Sequence, residues 1–170
     1  MSTATPATRA LQSLKIAFEV LEYACDPGAE RIGMQAAAAI GADPARVLKT
    51  LMVEVDGKPA CAVIPADRSL SMKRVAAAFG GKSAAMMPPD KAERLTGFHT
   101  GGISPFGQKR RVPTAFEAAG VAGRDPVVIN GGKRGLMLRL APADALAAAG
   151  ARAVALAAGH QWNHDLADRT

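Results

Sequence analysis

The chain has 170 residues, 49% hydrophobic, 21% charged and 4% aromatic, with 21 Lys and Arg against 15 acids for a net charge of +6 and a pI near 9.7. These values fit one core of ordinary size, exclude a disordered chain, and leave too few aromatics for a platform on which several single-stranded bases stack. The positive balance suits a polyanionic partner such as RNA, and on charge alone suits a merely soluble basic surface somewhat better.

Thr5-Pro6 is a helix entry with proline at the first helical position, and Leu11 and Leu14 give that helix a one-sided apolar stripe. AFEVLEY (17–23) alternates like a strand, and Asp26-Pro27-Gly28 is turn chemistry. MQAAAAIG (34–41) reads as a short alanine-rich helix closed by Gly41, and Asp43-Pro44 starts one more turn. RVLKTLMVEVDG (46–57) is a strand ending in the hairpin signal Asp56-Gly57, with PACAVIP (59–65) returning. Ser71 caps a helix through Phe79, which Gly80-Gly81 ends, and KSAAMM then supplies a strand. Pro89 opens a helix that Gly97 closes. FHTGGISPFGQKRRVPT (98–114) is glycine-rich and without period, DPVVIN (125–130) is a short buried-type strand, and GGKRG joins it to GLMLRLA. An amphipathic helix starts at Pro142, and the last ten residues read as a frayed tail.

Hairpins mixed with helices predict an α+β fold with a mixed sheet rather than a βαβ repeat. One domain is expected over 1–158, with 159–170 as a C-terminal tail. No apolar run approaches the roughly 20 residues that span a bilayer, and the N-terminus lacks the basic-then-apolar order of a secretory signal. Without such a signal, Cys25 and Cys61 are expected as free thiols in a reducing cytoplasm.

One residue stands apart by pattern. Alternation places Val47, Lys49, Leu51, Val53 and Val55 on one face of the strand and Leu48, Thr50, Met52 and Glu54 on the other. Lys49 therefore shares an apolar face, where an ammonium is costly. Its stem packs on the core while the charge reaches the rim, or it is a cation held at a cleft for a carbonyl, phosphate or ribose oxygen. The pattern alone leaves both open.

Other chemistry is mostly excluded. Gly102 and Gly107 have phosphate-loop spacing, but Gln108-Lys109 follows instead of Lys-Ser/Thr, and no G-x-G-x-x-G follows a strand. Gly101 and Gly102 remain either a plain turn cluster or a place where backbone N–H groups approach a ligand. Lys133 and Arg134 tip a second glycine loop and are either solvated or phosphate contacts. His160 and His164 lack a zinc-protease glutamate, His99 has no partner at ligand spacing, and no metal is expected. Cys61 reads as a small core residue. No spaced carboxylate pair occurs, and neither Ser83 nor Ser104 sits in a G-x-S-x-G elbow.

VLKTLMVEVDGK, GGISPFGQKRRVPT and INGGKRGL, in this order and spacing, resemble the YbaK/EbsC family of aminoacyl-tRNA deacylases, relatives of the editing domain inserted in bacterial prolyl-tRNA synthetases. The resemblance runs from about Leu11 to about Leu156. It implies a compact domain with a mixed, barrel-like sheet surrounded by helices. The implied activity is trans-editing: cleavage of the ester joining a mischarged amino acid, cysteine first, to tRNA. It implies no cofactor and no protein nucleophile, because in YbaK-type members the cysteinyl thiol attacks its own ester. Lys49 matches the family's functional lysine. Tyr23, Thr50, Gly101 and Gly102 match residues lining or approaching the pocket, with Ser104 and Gly131 in the two glycine loops beside them. Lys109, Arg110, Arg111, Lys133 and Arg134 are expected at tRNA phosphates. Mischarged tRNA is the implied partner, with prolyl-tRNA synthetase as a second; the oligomeric state is open.

Two positions depart from the family pattern. Arg31-Ile32-Gly33 stands where YbaK-type members carry Asn-Phe before glycine, and Asn130 stands where they carry serine. Both are expected pocket positions, so alanyl or seryl groups compete with cysteinyl as the substrate. Two other classes fit the residues: a non-catalytic tRNA- or synthetase-binding module on the same surface, and a small-molecule hydrolase or binding protein reusing the fold.

Overall fold

The structure, a computed structural model, describes residues 2–24 and 32–159. Helix α1 (Pro6–Ser13) is opened by a reciprocal cap, in which Thr5 Oγ1 accepts from Thr8 N (3.1 Å) and Thr5 N donates to Thr8 Oγ1 (2.9 Å). Leu11 is buried, but Leu14 is the C-cap residue and 55% exposed, so the expected stripe is one turn shorter. Strand β1 (Glu19–Glu22) is followed by helix α2 (Ile32–Ile40) and the long strand β2 (Val47–Val55). Strand β3 (Lys58–Pro65) returns across the Asp56-Gly57 turn, where both residues take positive φ. Helix α3 (Met72–Ala78), strand β4 (Ala84–Met86) and helix α4 (Pro89–Thr96) come next, α3 capped by Ser71 and α4 ended by a left-handed Gly97.

The next strand, β5 (Thr114–Glu117), begins where the glycine-rich stretch 98–114 ends and is not expected from the sequence; a 3-10 turn (Ala118–Gly120) follows it. Strands β6 (Val127–Asn130) and β7 (Leu136–Leu140) form the second hairpin, helix α5 (Pro142–Ala149) ends at Gly150, and a further unexpected strand, β8 (Arg152–Val154), closes the described chain. Among the described residues the strands form one mixed sheet in the order β1-β7-β6-β2-β3-β5-β8, with β4 also on β2. The pairs β2–β6, β3–β5 and β5–β8 are parallel and the others antiparallel.

Alternation divides the apolar side chains between two covered faces. Leu48, Met52, Cys61, Val63, Phe116, Val127, Ile129, Leu138 and Leu140 share a core with Leu11 of α1, Ala92 of α4 and Ala145 of α5. On the opposite face, Val53, Val55, Ala60, Ala62 and Ile64 pack with Val75 of α3, while Val47, Val128 and Met137 pack with Ala36 and Ala37 of α2. Lys49 falls between these last two clusters, where the apolar face is interrupted.

Candidate active site

Strand β2 is paired along one edge by β3 for its length, but its other edge is shared. Strand β6 takes Val47 and Leu48, and β4 takes Val53 to Val55. Between them Lys49 to Leu51 have no strand partner on that side among the described residues. The hydrogen-bond phase follows from neighbouring bonds: Ala66 N donates to Val47 O (2.7 Å) on the β3 side, while Val128 N to Arg46 O (2.9 Å) and Met87 N to Met52 O (3.1 Å) lie on the other. Alternation therefore turns the Thr50 amide and carbonyl toward the opening.

A cavity of about 380 Å³ lies at this opening and is lined by residues from both faces of β2. That size is in the range of small-molecule sites. Lys49, Thr50, Tyr23, Gly101 and Asn130 all line it, so five of the expected site residues converge here. Its apolar wall includes Met34 of α2, Met52 of β2, Met86 and Met87 beside α4, and Met137 of β7, with Ile103 from the first glycine loop. None of these methionines is singled out by the sequence, because a methionine at an apolar strand or helix position reads as core.

The polar groups are few. Lys49 is half-buried and its Nζ lies 3.4 Å from Ala66 O, to which it donates. Thr50 Oγ1 is buried and finds no hydrogen-bond partner among the described residues. Asn130 is spent as a clasp: its Nδ2 donates to Lys133 O (3.1 Å) and Gly101 O (3.4 Å), and its Oδ1 accepts from Gly132 N (2.7 Å). The amide thus joins both glycine loops at the cavity rim.

That junction is close. A Cβ on Gly102 would stand 2.7 Å from Lys133 Cα, so only glycine lets the two backbones meet. Gly102 itself lies behind the wall, its N–H donating to His99 O (2.9 Å). Glu93 of α4 fixes the same rim by accepting from Thr100 N (2.7 Å), and this N–H holds the carboxyl below its ordinary pKa. Arg134 Nε donates to Thr100 O (3.2 Å) from above.

The other expected residues are placed elsewhere. Ser104 is fully buried and accepts from Phe106 N (3.2 Å), and Gly131 N donates to Leu136 O (2.8 Å). Lys133 Nζ donates to Ser2 O. Lys109 and Arg110 line a separate groove on α4, whereas Arg111 lies beside Gly150 at the end of α5. Arg31, Cys25, His160 and His164 are outside the described residues, as is the side chain of Ile32. Cys61 is buried, which pushes its thiol up to about 12, despite a Gln108 amide 3.8 Å away. Among the described residues no histidine, cysteine or carboxylate lines the cavity, and no cluster of such groups has metal-binding form. No helix of the described residues is long and apolar enough to cross a membrane.

Known proteins resemble this chain in sequence and in fold. The profile of the family described as "Aminoacyl-tRNA editing domain" matches residues 26–148. A relative from Enterococcus faecalis, named "Putative Cys-tRNA(Pro)/Cys-tRNA(Cys) deacylase EbsC", is 33% identical over 141 residues, covering 81% of this chain and 84% of its own. A crystal structure described as a "putative trans-editing enzyme for prolyl tRNA synthetase" has the same fold, with a TM-score of 0.76 at 24% identity, over 92% of this chain and 99% of that one. The structure of hypothetical protein APE2540 matches with a TM-score of 0.79 at 21% identity, over 91% and 100%.

Proposed function

The chain belongs to the aminoacyl-tRNA editing domain family, and from that premise we propose that it is a trans-editing deacylase that cleaves the ester of mischarged aminoacyl-tRNA, with the cavity beside β2 as its active site. The observation that carries this reading is the opening in β2, which brings Lys49 and Thr50, whose hydroxyl is buried without a partner among the described residues, to one small cavity. A module that bound tRNA only on its surface would need neither group at such a place.

The reaction is assigned to positioning and charge stabilisation. No lining side chain among the described residues is a carboxylate, imidazole or thiol, which fits a substrate that supplies its own nucleophile. With a cysteinyl group, the thiol sulfur bonds to the ester carbonyl carbon and the carbon–oxygen bond to the ribose breaks. The thiol proton ends on the leaving ribose oxygen. Lys49 stabilises negative charge on the carbonyl oxygen as it develops, within an apolar wall that strengthens the interaction. Thr50 holds the aminoacyl or ribose polar groups through its hydroxyl and its edge-facing backbone. Gly101 and the Asn130 clasp fix the rim against which the aminoacyl end rests. A tRNA substrate implies work in the cytoplasm, and prolyl-tRNA synthetase is the expected source of mischarged tRNA.

Purified protein incubated with cysteinyl-, alanyl- and seryl-tRNA is expected to release cysteine fastest. Release of only alanine or serine would retire cysteine as substrate and keep the deacylase. No release from any of them would contradict the proposed function.

A further inference from the structure

Helix α4 separates two recesses. It gives Pro89 and Ala92 to the cavity, and Lys91, Arg94 and Leu95 to an open groove of about 470 Å³ that Lys109 and Arg110 complete. The segment carrying those two cations is laid along the helix by its main chain: Lys109 N donates to Thr96 O (2.8 Å) and Arg110 N to Leu95 O (3.1 Å). These bonds also satisfy carbonyls at the helix C-terminus. Lys91 pairs with Glu54 at 2.6 Å and Arg94 with Asp90 at 3.6 Å. Among the described residues Lys109 and Arg110 are exposed and have no carboxylate within ion-pairing distance.

We propose that this groove is the docking surface for the phosphate backbone of the tRNA acceptor end, carrying it across α4 while the aminoacyl ester enters the cavity. The inference rests on reading the cavity as the ester site. An ester held there forces the adjoining phosphates to leave over the rim, and the groove lies one helix away, about 10 Å. Its composition selects the kind of contact. The lining is four cations and one leucine with no aromatic, so it can hold phosphates but has no ring on which a base could stack. Binding there is independent of sequence, and the identity of the tRNA is not read by this surface.

The groove also revises which basic residues matter. The KRR run at 109–111 is not one patch, because Arg111 turns away to Gly150. Lys91 and Arg94, from a helix that carries no basic run, replace it.

Uncharged tRNA is the probe, with its dissociation constant measured across a salt series. The variant Arg94→Gln/Lys109→Gln/Arg110→Gln is compared with Lys58→Gln/Lys73→Gln/Arg124→Gln, which removes the same charge from exposed positions outside the groove. The groove variant is expected to bind about tenfold more weakly or worse, with a salt slope shallower by about two. The control should stay within about twofold of the parent. Equal losses in both variants, or no loss in the groove variant, would overturn the proposal. If the triple variant misfolds by circular dichroism, Arg110→Gln alone, at an exposed position, must weaken binding and flatten the slope by about one. Binding of uncharged tRNA needs no catalysis, so failure of the deacylase reading would show separately, as intact tRNA binding with no amino acid released.

Discussion

Lys49 and Thr50 are adjacent, point to opposite faces of β2, and still meet at one cavity because the strand edge between β6 and β4 is open. The lysine is legible in the sequence as a charge on an apolar face, and the pattern leaves its purpose open until the family resemblance marks it as functional. What the pattern could not supply is the break in pairing, which depends on strands far away in the chain. The threonine makes a sharper test than its bland appearance promises. A buried hydroxyl with no partner costs stability, so Thr50→Val should stabilise the free protein by about 1 kcal/mol in urea unfolding. The same variant should lose activity if the hydroxyl is kept for substrate. A fully active Thr50→Val protein would refute that role, and a less stable one would show that the hydroxyl has a partner.

At the scale of elements, the long hairpin, the capped helices and the buried strand β6 were readable because each carries its own turn or cap chemistry. Strands β5 and β8 were not. They have four and three residues, too few for a period, and they exist because β3 offers β5 a parallel edge and β5 then offers one to β8. Glu117 at the end of β5 fastens this edge. Its Oε1 accepts from Leu156 N and Ala157 N (both 2.9 Å), and Oε2 from Ala119 N (2.8 Å). Burial alone would raise its pKa, but the three N–H donors and the Arg68 charge together lower it below 4.5. A carboxyl lowered by folding stabilises the protein above its unfolded value and loses that contribution as pH falls through the folded value. Stability against urea should therefore fall below about pH 4.5, and Glu117→Gln should flatten that fall while costing about 2 kcal/mol at neutral pH. An unchanged acid limb in the variant would show that Glu117 does not govern it.

Across the whole molecule, the two glycine loops come from distant parts of the chain and are held in contact by Gly102 and the Asn130 clasp. The loops were visible in the sequence as glycine runs, and the family resemblance placed them near the pocket, but their mutual contact is a product of the fold. Gly102→Ala must push Lys133 away, and is expected to lower kcat/KM by about tenfold or more while the far-UV spectrum stays native. Wild-type activity in that variant would mean that the rim tolerates displacement. The methionine wall, by contrast, left no mark in the sequence beyond apolar residues in apolar places. It emerges only when α2, β2, β7 and the approach to α4 surround one space. The central claim is that this space, through Lys49, cleaves the aminoacyl ester. Single-turnover deacylation of cysteinyl-tRNA by the parent and by a folded Lys49→Ala variant tests it most directly. The account predicts a loss of about a hundredfold or more, about 2.7 kcal/mol of transition-state stabilisation. Deacylation by Lys49→Ala at the parent rate would contradict it.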